Sequence, residues 1–377
     1  MNGRERIEAA FSPEGAEHLP AVICYENVFL RDHWSAFTAC PWWYLHMPDA
    51  RLQLAWTRDL VAALGQDWFQ MFPWTSLEEE ESGAVEVSDQ GVFRIDAGTG
   101  RREEIRPPRP GGWTAGSLES VPPEDLPASF DAIEAAIPDP AAADVRALRE
   151  RQSVADALIR EFGGALWPYR HVSGPLWKTY GLWGFQGMMI MIASRPDLVH
   201  FACEKFLALA MRNVREAADH GAAGVWIEDC FTDMISPEAF ANLNAPYVRR
   251  LTDAIRASGL RSIYYFCGNP RGKWDCILSL GMDALALEEG KKGFANDIDD
   301  IVDRVRGRCV VVGNLDAVGV LQNGDENCLR EAIRRQVAAA RRNGSRFILS
   351  LGSPPTAWTP VERVRLYCDL AHELGAA

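Results

Sequence analysis

At 377 residues the chain is long enough for one large barrel or two ordinary domains, and it needs neither a disulfide nor a metal to bury a core. A formal net charge of −13 excludes a nucleic-acid backbone as partner, because that affinity rests on Lys and Arg neutralising phosphates. The nine cysteines are scattered without a CxxC pair, which argues against a disulfide framework and a zinc ribbon; the opening MNGRERIEAAF has no apolar h-region and no stretch reaches about 18 uninterrupted apolar residues, so neither export nor membrane spanning is indicated and a reducing cytoplasm is the expectation.

The opening MNGRERIEAAF is a charged amphipathic lead-in helix, and PAVICYEN and GQDWFQMF are the first strands, separated by the helical pattern DARLQLAWTRDLVAALG. Residues 83–106 alternate polar and apolar around DQG and GTG turn signals, which predicts a β-meander excursion with the Pro- and Gly-rich PPRPGG as its exit. From about residue 165 the chain repeats strand then helix. ALWPYRHVSGP precedes the long helix PDLVHFACEKFLALAMRNVREAADHGA, and GVWIED precedes SPEAFANLNAPYVRRLTDAIRASG, which Ser236, Pro237 and Glu238 open as a helix. RSIYYFC, MDALALEE, CVVVGNLD and RFILSLGS follow, each with a helical segment after it. Repeated steps in one direction predict a parallel sheet, and their number predicts one α/β, TIM-like (β/α)8 barrel over 1–377.

Nine of the thirteen tryptophans bunch, at Trp34, Trp42, Trp43, Trp56, Trp68 and Trp74 and again at Trp167, Trp177 and Trp183. They suit core filling or a pocket for flat or methylated ligands. There is no GxSxG elbow, HExxH, Walker loop or dinucleotide fingerprint, so no nucleotide cofactor is expected.

The opening RERIEAAF, the middle GAAGVWIEDCFTDMISPEAFANLNAPYVRRLTDAI, the strand SIYYFCGNP and the later GNLDAVGVLQNGDENCLREAIRRQ together resemble the uroporphyrinogen decarboxylase superfamily. The resemblance covers most of the chain and implies a TIM-like barrel with its cleft at the C-terminal ends of the strands. That superfamily holds true decarboxylases and methyltransferases that exchange methyl groups with corrinoid proteins. The decarboxylases carry a run like MRQAGRYLPEY whose Arg holds propionates; the matching CYENVFLRDHW offers instead Glu26, Arg31, Asp32 and His33. The thiol methyltransferases hold zinc through His-x-Cys and a second Cys. Here Tyr265 stands at the His position, Cys267 is kept, and Ser353 falls where the second Cys would be, so zinc is not expected in that site. An alternative ion set would use Glu228, Asp229 and Cys267, with Glu288 and Glu289 on the next strand end.

The resemblance therefore implies a methyltransferase acting between a small methoxylated or N-methylated donor and a separate corrinoid protein, since the chain has no DxHxxG corrinoid motif of its own. A decarboxylase and a non-catalytic binding barrel are the alternatives, and a homodimer is open. Demethylation needs a stabilised leaving group, and Tyr265, Glu228, Asp229 and Cys267 are the expected catalytic residues, the first three as proton donors. Glu26, His171, Trp177, Lys178, Tyr180 and Asp316 are the expected substrate-binding residues, with Trp183 as a further wall member and Arg170 and His171 near the floor.

Overall fold

The computed structural model describes residues 1–47, 49–71, 83–96, 100–107, 126–137, 154–290 and 293–376. Phe72, Trp74, the first residues of the GTG turn and the meander's exit from residue 108 lie outside the described residues.

Seven parallel strands form one sheet: β1 (Trp68–Gln70), β5 (Trp167–Ser173), β6 (Gly224–Asp229), β7 (Arg261–Phe266), β8 (Ala284–Leu287), β9 (Val310–Val312) and β10 (Phe347–Ile348), adjacent in that order. The eighth position belongs to residues 20–24, within the predicted strand PAVICYEN. On one side Val22 N–H donates to the Leu349 carbonyl at 2.9 Å and Leu349 N–H to the Pro20 carbonyl at 2.8 Å; on the other, Asp67 N–H donates to the Ala21 carbonyl at 3.0 Å. Hydrogen bonds on both flanks leave no free sheet edge, and the barrel closes. The excursion is a separate antiparallel meander of β2 (Gly83–Ser88), β3 (Gly91–Asp96) and β4 (Arg102–Ile105), where the alternation predicts it.

Outer helices cover the sheet, including Pro196–Asp219, Glu326–Arg342 and Val361–Gly375. The segment predicted as one helix from Ser236 differs in detail: a widened turn at Phe240–Asn244 separates Pro237–Ala239 from Ala245–Ala257. Pro246 has no N–H to give the helical ladder, which accounts for a local departure from α geometry here. No described helix is long and apolar enough to cross a membrane.

At the N-terminal end of the strands, buried Asp67 accepts from Arg6 Nη2 at 2.5 Å, His372 Nε2 at 2.9 Å and Ala21 N–H at 2.7 Å, joining the first and last helices to two strands. Burial pushes its pKa up, but the His372 and Arg6 hydrogen bonds hold it below the usual value.

Aromatic rings fill the barrel. Trp226 stacks on Tyr265 at 5.2 Å and on His171 at 5.8 Å, and Trp68 packs on Tyr169 at 4.4 Å. Gly224 permits this where β6 begins, because a Cβ there would lie 2.1 Å from the Trp167 ring and 2.8 Å from the Arg261 carbonyl. Gly224→Ala is expected to cost about 3 kcal/mol by overpacking, read as a lowered urea midpoint at unchanged m-value.

Candidate functional site

Side chains alternate along a strand, so the face of one residue fixes that of its neighbours. Trp226 and Tyr265 point to the barrel axis, and Glu228 and Cys267, two residues further on, therefore point into the bowl at the C-terminal rim. Asp229 lies on the opposite face of β6.

Glu228 is half-buried and accepts from the Trp177 indole N–H at 3.3 Å. The Cys230 thiol lies 3.9 Å from its other oxygen. Burial raises its pKa, opposed by the facing Tyr25 hydroxyl, Trp177, Cys230 and the charge of Lys178. Cys267 donates its thiol proton to Glu288 at 3.4 Å. Two carboxyls, two thiols and an indole thus meet at the ends of adjacent strands.

One side of this bowl is an aromatic wall. Trp177 and Tyr180 stack at 5.0 Å, Phe231 sets its edge on Trp177 at 5.1 Å and lies 5.5 Å from Tyr180, and Phe185 meets Phe231 at 5.0 Å. All four rings are half-buried. Trp183 is not among them, being fully buried with its indole N–H on the Pro127 carbonyl at 3.1 Å.

Tyr25 sits at the axis, edge-on to His171, Trp226 and Tyr265 at 5.3, 5.8 and 5.5 Å. Tyr25 and Phe231 both adopt positive φ, 56° and 61°, immediately past strand ends. Such strain in bulky residues collects at functional sites. Among the described residues, His171 Nε2 and Trp226 Nε1 are buried without a protein partner, so the interior offers polar groups to a ligand or water, and the Tyr25 hydroxyl faces Glu228. Burial, with the Arg170 charge, lowers the His171 pKa to about 3, which keeps the ring neutral.

Other expected site residues are placed elsewhere. Asp229 is buried behind the sheet, accepting from Asn244 Nδ2 at 2.5 Å and the Tyr264 hydroxyl at 2.6 Å, and burial raises its pKa to about 7. The set Glu228, Asp229 and Cys267 is therefore not brought together, because neighbours on a strand face opposite ways. Glu26 is buried in the seam beside β1, where it accepts from the Gln66 amide and Gln70 N–H, and burial raises its pKa to about 7. Asp316 caps the turn Ala317–Gln322 through Val318 and Gly319 N–H, both at 2.9 Å, and lines a cavity of about 250 Å³ between strands and outer helices. Lys178 is exposed at the rim, and Arg170 lies on the other face of β5 from His171.

Tyr265 donates its hydroxyl to the Gly352 carbonyl at 2.9 Å, and Ser353 donates to Glu289 at 2.6 Å. A phenol and an alcohol so committed do not fit a zinc ion in the His-x-Cys and Cys arrangement. Among the described residues, no three His, Cys, Asp or Glu side chains form a set suited to an ion. Tyr265→Phe is expected to lower stability by about 1 kcal/mol, seen as a small drop in Tm, because the Gly352 carbonyl loses its donor.

Sequence reasoning missed Tyr25, Phe185 and Phe231. The strand end at CYEN pointed to the first; nothing local pointed to the other two, which join the wall through the β6 loop and the helix Tyr180–Ser194.

The family model described as uroporphyrinogen decarboxylase (URO-D) matches residues 171–374. Among curated proteins, the chain is 28% identical over 183 residues to chloroplastic uroporphyrinogen decarboxylase 2 of Arabidopsis thaliana, covering 48% of this chain and 44% of that one. It is 26% identical over 255 residues to uroporphyrinogen decarboxylase of Anaeromyxobacter dehalogenans, covering 68% of this chain and 66% of that protein. The chain thus spans less than two thirds of the length of these relatives. Among solved structures, a methyltransferase from Methanosarcina mazei aligns over 99% of both chains with a TM-score of 0.65 and 16% identity, a likeness of fold.

Proposed function

The chain belongs to the uroporphyrinogen decarboxylase family, and from that premise we propose that it is a methyltransferase moving a methyl group between a small methoxylated or N-methylated compound and a separate corrinoid protein. The observation that carries this reading is Glu228, a bowl-facing carboxyl with a raised pKa, fixed by Trp177 beside an aromatic wall. The corrinoid is a substrate presented by its own carrier and supplies the nucleophile that accepts the methyl group.

Glu228 protonates the departing oxygen or nitrogen. Its raised pKa biases it toward the acid form, and the Trp177 N–H fixes the carboxyl's orientation. Trp177, Tyr180, Phe231 and Phe185 exclude water from one side and present flat apolar surface to a methylated group. Cys267 and Cys230 supply weak donors at the floor. Tyr265 holds the rim through Gly352, and Asp229 supports β6 from behind; in this reading neither transfers a proton.

The second reading, decarboxylation of a porphyrinogen, is favoured by the names of the curated relatives. Against it stands the chemistry of the bowl, where Glu228 and Glu288 would face the carboxylates of such a substrate. A third, a binding barrel without catalysis, predicts turnover of neither kind. One experiment separates them: the protein is incubated anaerobically with a reduced corrinoid protein and a panel of methoxyarenes and methylamines, and in parallel with uroporphyrinogen III. Corrinoid-dependent loss of a methyl donor, followed by mass spectrometry, supports the proposal. Coproporphyrinogen formation without donor loss overturns it.

A further inference from the structure

Two cysteines stand side by side at the floor of the bowl. The register of β6 on β7 pairs Asp229 with Phe266, and the Cys267 N–H donates to the Asp229 carbonyl at 3.3 Å, so the pairing continues one step beyond the strands and sets Cys230 opposite Cys267. Both residues share the parity of Glu228 and Tyr265, which puts both side chains on the bowl face. Neighbouring strands run about 4.8 Å apart, inside the Cα separation of roughly 4.4–6.8 Å that a disulfide spans.

Both cysteines are free and half-buried, open toward the rim, and each thiol has a carboxyl at hand: Glu288 at 3.4 Å from Cys267 and Glu228 at 3.9 Å from Cys230. The thiols also touch each other, and the hydrogen bond with Cys267, together with burial, pushes the Cys230 pKa up. The shorter of the two thiol–carboxyl contacts, Cys267 to Glu288, gives that thiol the nearer acceptor for its proton.

We infer that Cys230 and Cys267 form a reversible two-thiol oxidation site, closed to an intramolecular disulfide by hydrogen peroxide. Cys267 gives its proton to Glu288 and attacks the peroxide. The O–O bond breaks, a sulfenic acid forms on Cys267, and water leaves with the proton that Glu288 returns. Cys230 then attacks the sulfenic sulfur, the S–S bond forms, and a second water leaves. One peroxide is reduced to two waters while two thiols lose two electrons, and a dithiol reductant reverses the change. Closure removes the thiol donors from Glu228 and Glu288, so the oxidised bowl presents two carboxyls in altered surroundings. The inference concerns these thiols alone and stands independently of the methyl-transfer reading.

Its test is peptide mapping of the whole protein. Reduced protein is treated with one equivalent of hydrogen peroxide, alkylated, digested without reductant and analysed by mass spectrometry. The expected result is a Cys230–Cys267 linked peptide about 2 Da lighter than its parts, and a fall from nine titratable thiols to seven (9 − 2), restored by dithiothreitol. In Cys230→Ser, Cys267 is expected to stop at the sulfenic acid and to be trapped by dimedone. Retention of both alkylated cysteines in the wild type, or oxidation confined to exposed Cys328 as intermolecular dimers, would overturn the inference. So would a Cys230→Ser protein, folded by circular dichroism, that yields no dimedone adduct on Cys267.

Discussion

Glu228→Gln is expected to lower kcat for methyl transfer by about 10²- to 10⁴-fold, the range that a positioned general acid contributes. Glutamine keeps the shape of the side chain and its acceptor for the Trp177 indole, so folding is preserved and the loss reads the proton itself. The sign of the pH dependence follows. A general acid works only when protonated, so the wild-type rate falls as pH rises through the pKa of Glu228, which burial has raised. In Glu228→Gln the residual rate loses that limb. Trp177→Phe removes the N–H that orients the carboxyl and should cost about tenfold in kcat, a smaller loss because the acid remains. The measurement is kcat and KM against pH for the three proteins, with thermal melts to confirm folding. A Glu228→Gln rate within a few-fold of wild type would move the proton donor elsewhere, to the Tyr25 hydroxyl at the axis.

The second large effect is on stability. Asp229→Ala should destabilise the fold by about 3 kcal/mol, because the Tyr264 hydroxyl and the Asn244 amide lose their acceptor inside the protein. Asp229→Asn retains an acceptor oxygen and should cost less. The pH profile separates charge from packing. Asp229 and Glu26 have folded pKa values of about 7, against ordinary values of 3.8 and 4.5. A carboxyl raised in the folded state binds more protons there than in the unfolded chain, so its contribution is full below the unfolded pKa. That contribution is lost as pH rises toward 7, on the order of 3 kcal/mol for each group. Asp67, held low by His372 and Arg6, acts in the opposite sense, and its contribution is lost as pH falls below its unfolded value. Urea titrations from pH 4 to 7.5 should therefore show a decline with rising pH that is shallower in Asp229→Asn. A slope unchanged by that substitution would mean that Asp229 is charged throughout.

Much of the fold was legible in the order of residues. GVWIED, RSIYYFC and MDALALEE are short apolar runs between helical periods, and such runs in repeated order specify parallel strands, because the helices between them take up each crossover. The meander followed in the same way from alternation and turn residues. Glu228 could be proposed for the rim because it ends a strand, and Trp177 and Tyr180 because they follow one.

The sequence by itself determined the strand-and-helix order, the place of the carboxyls, thiols and rings at strand ends, and the resemblance to a superfamily. Only the tertiary structure decided which of two adjacent carboxyls faces the bowl. Alternation tells that Glu228 and Asp229 point opposite ways, but the inward face is set by closure of the whole barrel, in which residues 20–24 bond to β10 on one side and β1 on the other. The same long-range closure brings Tyr25 to the axis, turns Glu26 into a seam, and lets Phe231 from one loop join Trp177 and Tyr180 from another. It also sets Cys230 beside Cys267, 37 positions later (267 − 230), through a register fixed by strand pairing. Local periodicity specifies a direction only relative to its own strand, and the absolute direction, with every contact that depends on it, comes from pairings between residues distant in the chain.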